Sequence, residues 1–102
     1  MGINMVFSDP SFEWDEGKNQ LNQEKHRVSF SLAQHAFSDP GRLVVFDKSH
    51  SKDIENRYFC YGKVAGGVLT VRFTYREAKI RIFGAGFWRE GKAKYEKENK
   101  VP

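Results

Sequence analysis

The amino-acid sequence predicts an α+β fold, in which an antiparallel sheet of about four to five strands packs against two N-terminal helices and one C-terminal helix. Three observations predict this fold. Apolar residues between positions 16 and 37 have helical spacing, the period changes to two from Arg42 onward, and the segment after Trp88 is rich in Lys and Glu without strand alternation. The chain of 102 residues is expected to form one domain, residues 1–102, with a loosely ordered N-terminal segment at residues 1–11.

A short alternation followed by a capping residue predicts the first strand and the first helix. Phe12-Glu13-Trp14 alternates apolar and polar side chains, as a strand does. Asp15 is placed to accept hydrogen bonds from the free amides that begin a mostly polar helix over residues 16–27. The inner stripe of this helix is expected to carry Leu21, Lys25 and Val28.

A second, shorter helix is expected to follow. Either Ser29 or Ser31 is suited to cap it. Its apolar residues lie on one side at helical spacing, and they are Leu32, Ala33, Ala36 and Phe37. Asp39-Pro40-Gly41 then ends the helix, because proline cannot continue it and glycine permits a turn.

Four further strands and a final helix are predicted from Arg42 onward. The strands are residues 43–46, 57–61, 68–75 and 80–83. The first is wholly apolar and is expected to be buried, and Gly66-Gly67 is expected to form a hairpin turn before the third. Because the connections are short, an antiparallel meander is the expected topology. The final helix is predicted over residues 88–100.

Alternation along the third of these strands predicts two unlike sheet faces. One face is expected to be apolar and to carry Leu69, Val71, Phe73 and Tyr75. The opposite face is expected to be cationic and to carry Thr70, Arg72, Thr74 and Arg76. Arg81 is expected on the cationic face, and Arg57 lies nearby if the strand register is favourable. An ordinary solvated face is the alternative, and the scarcity of neighbouring acidic residues argues against it.

The distribution of charge along the chain supports a basic surface. Residues 1–56 carry six Lys or Arg and nine Asp or Glu, a net charge of −3. Residues 57–81 carry six basic residues and one acidic residue, a net charge of +5, and residues 82–102 add +2. A positive field concentrated on the central strands is suited to attract a polyanion.

Composition limits the classes of protein to which the chain can belong. Its single cysteine excludes an intrachain disulfide and a Cys-rich metal site. No apolar run approaches the roughly 20 residues that span a bilayer, and no signal-peptide pattern is present at the start. We therefore expect a soluble cytoplasmic protein without a membrane partner.

Several short motifs occur in one order along the chain. They are Phe12-Glu13-Trp14-Asp15, Lys18-Asn19, Lys25-His26, Val28-Ser29-Phe30, Phe37-Ser38-Asp39-Pro40, Arg57 with Gly62, Leu69-Thr70-Val71 and Ile80-Arg81-Ile82. In this order and approximate spacing, the chain resembles the BrnT-type ribonuclease toxins of bacterial type II toxin-antitoxin pairs from Phe12 to Tyr95. The resemblance implies a RelE-like fold and a metal-independent endoribonuclease that inhibits translation.

The same resemblance implies the partners. They are an RNA substrate and a cognate small antitoxin, similar to BrnA and encoded beside the toxin. Because that antitoxin is a DNA-binding protein, DNA is expected to be bound only through the complex of toxin and antitoxin, which represses its own promoter. No cofactor is expected.

The chain departs from the family pattern in its last predicted strand. Many members read I-S-A-R after the residues that match Arg81-Ile82, whereas this chain reads Phe83-Gly84-Ala85-Gly86. A small hydroxyl and a basic side chain are therefore absent, although Arg89 can replace the charge if the chain turns back after Trp88. The alternative function is a catalytically attenuated protein-binding or RNA-binding module of the same fold.

Metal-free RNA cleavage needs a group that accepts the ribose 2′-hydroxyl proton, cations that stabilise the phosphorane, and a proton donor. His26 is the natural acid or base, and the alternative is a helix C-terminal cation with no further role. The predicted catalytic residues are Lys25, His26, Arg57, Arg76 and Arg81. The predicted RNA contacts are Arg72, Lys79, Arg89 and Tyr95.

Other reactive residues are weaker candidates for a catalytic or metal-binding role. His26, His35 and His50 do not have zinc spacing, so no metal site is predicted. Cys60 has no histidine at a recognisable spacing and is expected to be a small buried residue. Gly84-Ala85-Gly86 predicts a bend or a close backbone approach. Trp14 and Trp88 are expected to be core anchors.

Overall fold

The computed structural model of the protein describes residues 11–52 and 55–100. The loose segment that the sequence predicts at residues 1–11 therefore lies outside the described residues, except for Ser11. Within the described part the elements, in chain order, are β1 (Phe12–Trp14), α1 (Glu16–His26), α2 (Phe30–Ala33), a 3₁₀ helix (Gln34–Ser38), β2 (Leu43–Phe46), β3 (Arg57–Val64), β4 (Gly67–Arg76), β5 (Lys79–Gly86) and α3 (Arg89–Glu98).

The described strands form one mixed sheet in the order β1-β5-β4-β3-β2. Strands β2 to β5 pair antiparallel in sequence order, so the predicted meander and the α+β class are confirmed. β1 pairs parallel to β5 and places Glu13 opposite Arg81. This parallel pair differs from the predicted antiparallel sheet, because β1 reaches β5 from a distant part of the chain and not through a hairpin.

α1 begins where the sequence predicts, but it buries a different face. The Asp15 carboxylate accepts a hydrogen bond from the Lys18 amide at 2.9 Å, which confirms the cap. Leu21 is 54 % exposed and Lys25 is exposed, so the predicted inner stripe is wrong for both. The buried helical residues are Asn19 and Asn22.

Amide side chains face inward because α1 lies against backbone groups that need partners. β1 covers β5 only as far as Ile82, and the Asn22 amide continues the pairing beyond it. Asn22 Nδ2 donates to the carbonyl oxygens of Ala85 and Val28, each at 2.9 Å, and Asn22 Oδ1 accepts from the Ala85 amide at 3.2 Å. An apolar side chain here would leave buried backbone groups unpaired.

The segment after α1 turns sharply into the core. Arg27 ends α1 in the left-handed region at φ 60°. Ser29 caps α2 by accepting a hydrogen bond from the Leu32 amide at 3.0 Å, which decides between the two predicted caps. Val28, the third predicted inner residue, is buried just beyond the helix.

The main core lies on the sheet face covered by α2 and the 3₁₀ helix. Its fully buried side chains include Phe30, Leu69, Val71, Phe73 and Ile82. α3 covers one end of the opposite face, where Tyr95 packs with Tyr61 and Val68. Most of the predicted apolar positions are confirmed. On the predicted cationic face Thr70 and Thr74 are buried, whereas Arg72 borders an open part of the face beside α1.

Two predictions about the core differ from the structure. Tyr75 is 56 % exposed because it lies at the end of β4, beyond the reach of the covering helices. The strand β2 is an edge strand that is partly buried on one side only: Val44 is 44 % and Phe46 is 49 % exposed, whereas Leu43 and Val45 pack against the cluster of Tyr61, Val68 and Tyr95.

The hairpins also differ in detail. The β3–β4 turn consists of Ala65 and Gly66, both with positive φ, and Gly67 begins β4. β5 extends through the Gly84-Ala85-Gly86 segment, in which a bend or close approach was predicted. Arg72 pairs with Gly84 and Phe73 pairs with Ile82, so Phe83 is an extra residue in a bulge. No helix in the described part of the chain is long and apolar enough to cross a membrane.

Candidate functional site

A cleft of about 250 Å³ lies between α1 and the open part of the sheet face opposite the main core. We call it the α1 cleft. Its described lining consists of Lys18, Leu21, Asn22, Lys25, His26, Arg72, Phe83, Gly84 and Trp88. Four of these nine residues carry basic or imidazole groups, and the described lining contains no carboxylate. The arrangement is therefore suited to bind an anion.

Helical spacing brings most of these groups into the cleft. Lys18, Leu21, Asn22 and Lys25 follow one another at short intervals along α1, so they lie on one side of the helix. The hydrogen bonds of Asn22 to Ala85 hold that side against β5. A polar helix is thereby fixed in place while its lysines remain exposed.

His26 is at the end of α1, beside Trp88. The two rings meet edge to face, with their centroids 5.1 Å apart and an interplanar angle of 90°. His26 is exposed and lines the cleft, so its imidazole is accessible to a ligand there. Trp88 is half-buried and lies outside both apolar clusters, so the prediction that it is a core anchor is wrong, whereas Trp14 does pack on the main core.

Cations also approach the floor of the cleft. Arg72 lies opposite Gly84 in the β4–β5 pair and lines the cleft from the sheet. The bulge at Phe83 presents its ring to two cations, because the Arg57 guanidinium lies 4.1 Å and Lys18 Nζ lies 5.3 Å from the ring centroid. Arg57 is therefore adjacent to the cleft through Phe83.

Three predicted catalytic arginines have acidic partners. Glu55 accepts from Arg76 at 2.6 Å and from Arg57 at 3.0 Å, and Glu13 accepts from Arg81 at 3.2 Å. The hydrogen bond from Arg76 is the largest cause that lowers the pKa of Glu55, and Arg57 lowers that pKa further against the effect of burial. The expectation that these arginines lack acidic neighbours is wrong, because the fold brings carboxylates from β1 and from the loop before β3.

The remaining predicted RNA contacts lie outside the α1 cleft. Lys79 is exposed at the β4–β5 turn, and Arg89 lines a separate hollow on the other side of Trp88. Arg89 is therefore not part of the described lining of the α1 cleft. Tyr95 is only 5 % exposed, and its hydroxyl donates to Asp39 at 2.6 Å. This hydrogen bond, with burial, raises the pKa of Tyr95 to about 12. The ring of Tyr95 is packed under α3 and is not part of the described lining of the α1 cleft, and its contact with RNA stays a prediction.

Other reactive side chains lie elsewhere in the fold. His50 pairs with Asp47 at 2.8 Å, and His35 is exposed on the 3₁₀ helix. Cys60 is fully buried, and burial raises its pKa to about 12. Among the described residues there is no group of three or more His, Cys, Asp or Glu side chains that is placed to hold a metal ion.

The prediction from sequence did not include every group in the cleft. Lys18, Phe83 and Trp88 were not among the predicted site residues, although Lys18 precedes Lys25 by two helical turns. That spacing was a usable signal for Lys18. The sequence carried no signal for Phe83, whose direction depends on a bulge.

A family model described as "Ribonuclease toxin, BrnT, of type II toxin-antitoxin system" matches residues 14–92, a range that contains every described residue of the α1 cleft. No curated protein matches the chain.

Proposed function

Because the chain belongs to the BrnT family of ribonuclease toxins of type II toxin-antitoxin systems, we propose that it cleaves RNA in the α1 cleft without a metal ion. One observation carries this proposal. Lys18, Lys25, His26 and Arg72 meet in one cleft whose described lining has no carboxylate to neutralise them.

The proposed chemistry uses each of these groups. Lys18, Lys25 and Arg72 bind a phosphodiester and stabilise the negative charge that develops on the phosphorane. His26 accepts the proton of the ribose 2′-hydroxyl, and the resulting oxygen attacks the adjacent phosphorus. The bond from phosphorus to the 5′-oxygen then breaks, the leaving oxygen takes a proton from water, and the hydroxide ion that remains takes the proton held by His26. The products are a 2′,3′-cyclic phosphate and a free 5′-hydroxyl.

The predicted arginines that lie outside the cleft receive different proposed roles. Arg57 supports the site through its contact with Phe83. Arg76 and Arg81, which carboxylates already partly neutralise, contribute to the attraction of RNA more than to the reaction itself. Lys79 is assigned to the same long-range attraction because it is exposed beyond the cleft.

The proposal extends to the biological setting. Cleavage of RNA in the cytoplasm would inhibit translation, and a small cognate DNA-binding antitoxin, similar to BrnA, would neutralise the toxin. The complex of the two would bind promoter DNA through the antitoxin. Purified complex should therefore bind promoter DNA and cleave no RNA, whereas the toxin alone should cleave RNA and show no preference for promoter DNA.

RNA cleavage by the purified chain in EDTA tests the proposal. We expect wild-type protein to cleave free or ribosome-bound RNA in EDTA, and His26→Ala to slow cleavage by about 10²-fold to 10⁴-fold. His35→Ala is the matched control, because that exposed histidine lies on the 3₁₀ helix that packs on the other sheet face. Arg72→Gln should slow cleavage more than Arg76→Gln does.

Each contrary result has a defined meaning. Cleavage that stops in EDTA and returns with Mg²⁺ would refute the metal-free reaction. Equal rates for His26→Ala and His35→Ala would refute the assignment of the base. A folded wild-type protein that binds RNA without cleaving it would support the attenuated binding module, which Gly84 and the filled space at Gly86 favour.

A further inference from the structure

A second basic hollow lies on the other side of Trp88 from the α1 cleft. Its volume is about 330 Å³, and Trp88 lines both the hollow and the cleft. The charged and aromatic residues that line the hollow are Lys63, Phe87, Trp88, Arg89, Lys92 and Glu96. One indole ring is therefore the wall between two adjacent basic depressions.

Two secondary structures supply the cations of this hollow. Arg89 and Lys92 are three residues apart in the first turn of α3, so they lie on one side of the helix. Lys63 comes from the end of β3. All three are exposed, and none forms a salt bridge within 4.0 Å with a described residue. Glu96 is the single carboxylate in the described lining.

An exposed aromatic ring accompanies these cations. Phe87 is 47 % exposed, whereas most phenylalanines of the described chain are buried or partly buried. It lies beside Gly67, where a Cβ atom would be only 3.0 Å from its Cδ1 atom. Gly67 thus gives the ring room to lie across the end of the sheet. Exposed aromatic rings beside Lys and Arg are the combination with which proteins bind single-stranded RNA.

We propose that this hollow is a second RNA subsite, in which a single strand that occupies the α1 cleft continues past Trp88. Arg89 and Lys92 bind a phosphate, and Phe87 stacks on a base. The proposal rests on the proposed nuclease function, since it takes the α1 cleft as the place of the reaction. It adds a binding site whose loss weakens binding of longer RNA without removing the reacting groups.

RNA is the occupant that the observations favour, because positive charge continues from one depression to the other across an aromatic wall. A bound strand needs contacts at regular intervals along its backbone, and two adjacent basic depressions provide them. Docking of the antitoxin on this surface is the competing possibility, and the experiment separates the two.

Binding of 2′-O-methyl oligouridines tests the proposal, because the methyl group blocks attack and leaves only association. The probes are a strand of about six nucleotides, chosen to extend from the α1 cleft past Trp88, and a strand of two, which is too short to occupy both depressions at once. The test variant is Arg89→Gln/Lys92→Gln. Its matched control is Lys97→Gln/Lys100→Gln, which removes the same charge from exposed positions near the other end of α3.

We expect the test variant to bind the longer strand about tenfold more weakly and the shorter strand as wild type does. The slope of log affinity against log salt should become shallower by about 0.7 for each phosphate group that the variant no longer binds. Glu96→Gln should tighten binding of the longer strand, because it removes the one negative charge of the hollow's described lining. The control should change neither affinity by more than about twofold.

Three outcomes would overturn the proposal. Equal weakening by the test and control variants would mean that only overall charge matters. Unchanged affinity for the longer strand would mean that the hollow does not bind RNA. Weaker binding of the cognate antitoxin with unchanged RNA binding would make the hollow a protein-docking site.

Failure of the nuclease proposal would be recognised separately. In that case wild-type protein would bind both probes but cleave no RNA, and the effect of the variants on the longer strand would still decide whether the subsite exists.

Discussion

Gly84 and Gly86 differ in the space that surrounds them: one has room for a side chain and the other does not. A Cβ atom at Gly84 would lie 3.7 Å from Asn22 Oδ1 and 3.8 Å from Arg72 Cδ, which are ordinary contacts. A Cβ atom at Gly86 would overlap the indole ring of Trp88. The hydroxyl that the chain lacks at position 84 therefore fits this structure, whereas any side chain at position 86 competes with Trp88.

This difference predicts unequal effects of substitution. Gly84→Ser should lower the free energy of unfolding less than Gly86→Ala does, because the added atoms at the buried position 84 make ordinary contacts. Gly86→Ala should lower it by about 1–3 kcal/mol because Trp88 must move. Urea denaturation of both variants measures the two values. Gly86→Ala should also slow RNA cleavage, since Trp88 contacts His26.

A double-mutant cycle checks the physical reason. If the indole ring is the obstacle, Gly86→Ala should destabilise a Trp88→Ala background much less than it destabilises the wild-type chain. The same loss of stability in both backgrounds would show that the obstacle is elsewhere.

At the scale of elements, α3 is held to the sheet by a small polar network around Asp39. Its carboxylate accepts hydrogen bonds from the Tyr95 hydroxyl at 2.6 Å and from the backbone amides of Lys63 at 2.7 Å and Gly41 at 2.8 Å. Burial alone would raise the pKa of Asp39, but these hydrogen bonds and the charge of Lys63 lower it below the ordinary value of 3.8. The ionised carboxylate of Asp39 is therefore the form that holds α3 to the sheet.

The lowered pKa predicts how stability depends on pH. The Asp39 carboxylate binds a proton more readily in the unfolded chain, so its stabilisation is present above pH 3.8 and is lost as the pH falls through the lower folded pKa. Asp39→Asn should remove about 1–3 kcal/mol at neutral pH, and the difference from wild type should shrink on acidification. Urea denaturation between about pH 2 and pH 7 measures it.

Two features keep this test specific to Asp39. Glu55 also has a lowered pKa, but it is present in both proteins and cancels in the difference. Tyr95→Phe retains the packed ring and removes only the hydroxyl donor, so it should destabilise less than Asp39→Asn. A pH-independent difference between wild type and Asp39→Asn would refute the ionic role.

At the scale of the whole molecule, burial in the core determines whether the Cys60 thiol can react. The Cys60 thiol is completely buried beneath the 3₁₀ helix, 3.9 Å from the carbonyl oxygen of Ala36. Burial raises its pKa to about 12, so it is protonated at neutral pH. Reagents that need a thiolate can reach it only after the core opens.

Alkylation of Cys60 should therefore report opening of the molecule. We expect iodoacetamide to label the native protein slowly, and the labelling rate to rise with urea in parallel with the population of unfolded chains. Fully unfolded protein, which should react at once, is the control. Fast labelling without urea would show that the 3₁₀ helix separates from β3 locally, and mass spectrometry distinguishes the cases.

The sequence determined the local structure because local rules were sufficient for it. Alternation and helical spacing gave the order of the elements, and a side chain next to free amides gave the caps at Asp15 and Ser29. The pairing of Lys25 with His26 at the end of a helix was also visible in the sequence, as was the α+β class. These features depend on neighbours within a few residues.

The tertiary structure alone decided which basic side chains are free to bind an anion in the α1 cleft and which pair with carboxylates. Arg81 meets Glu13 only through the parallel pairing of β1 with β5, and Arg72 joins Lys18 and His26 only because Asn22 fixes α1 to β5. A bulge directs Phe83 toward the cleft, and sequence periodicity does not reveal a bulge. Strand register and helix placement bring distant residues together, so the site could not be read from spacing along the chain.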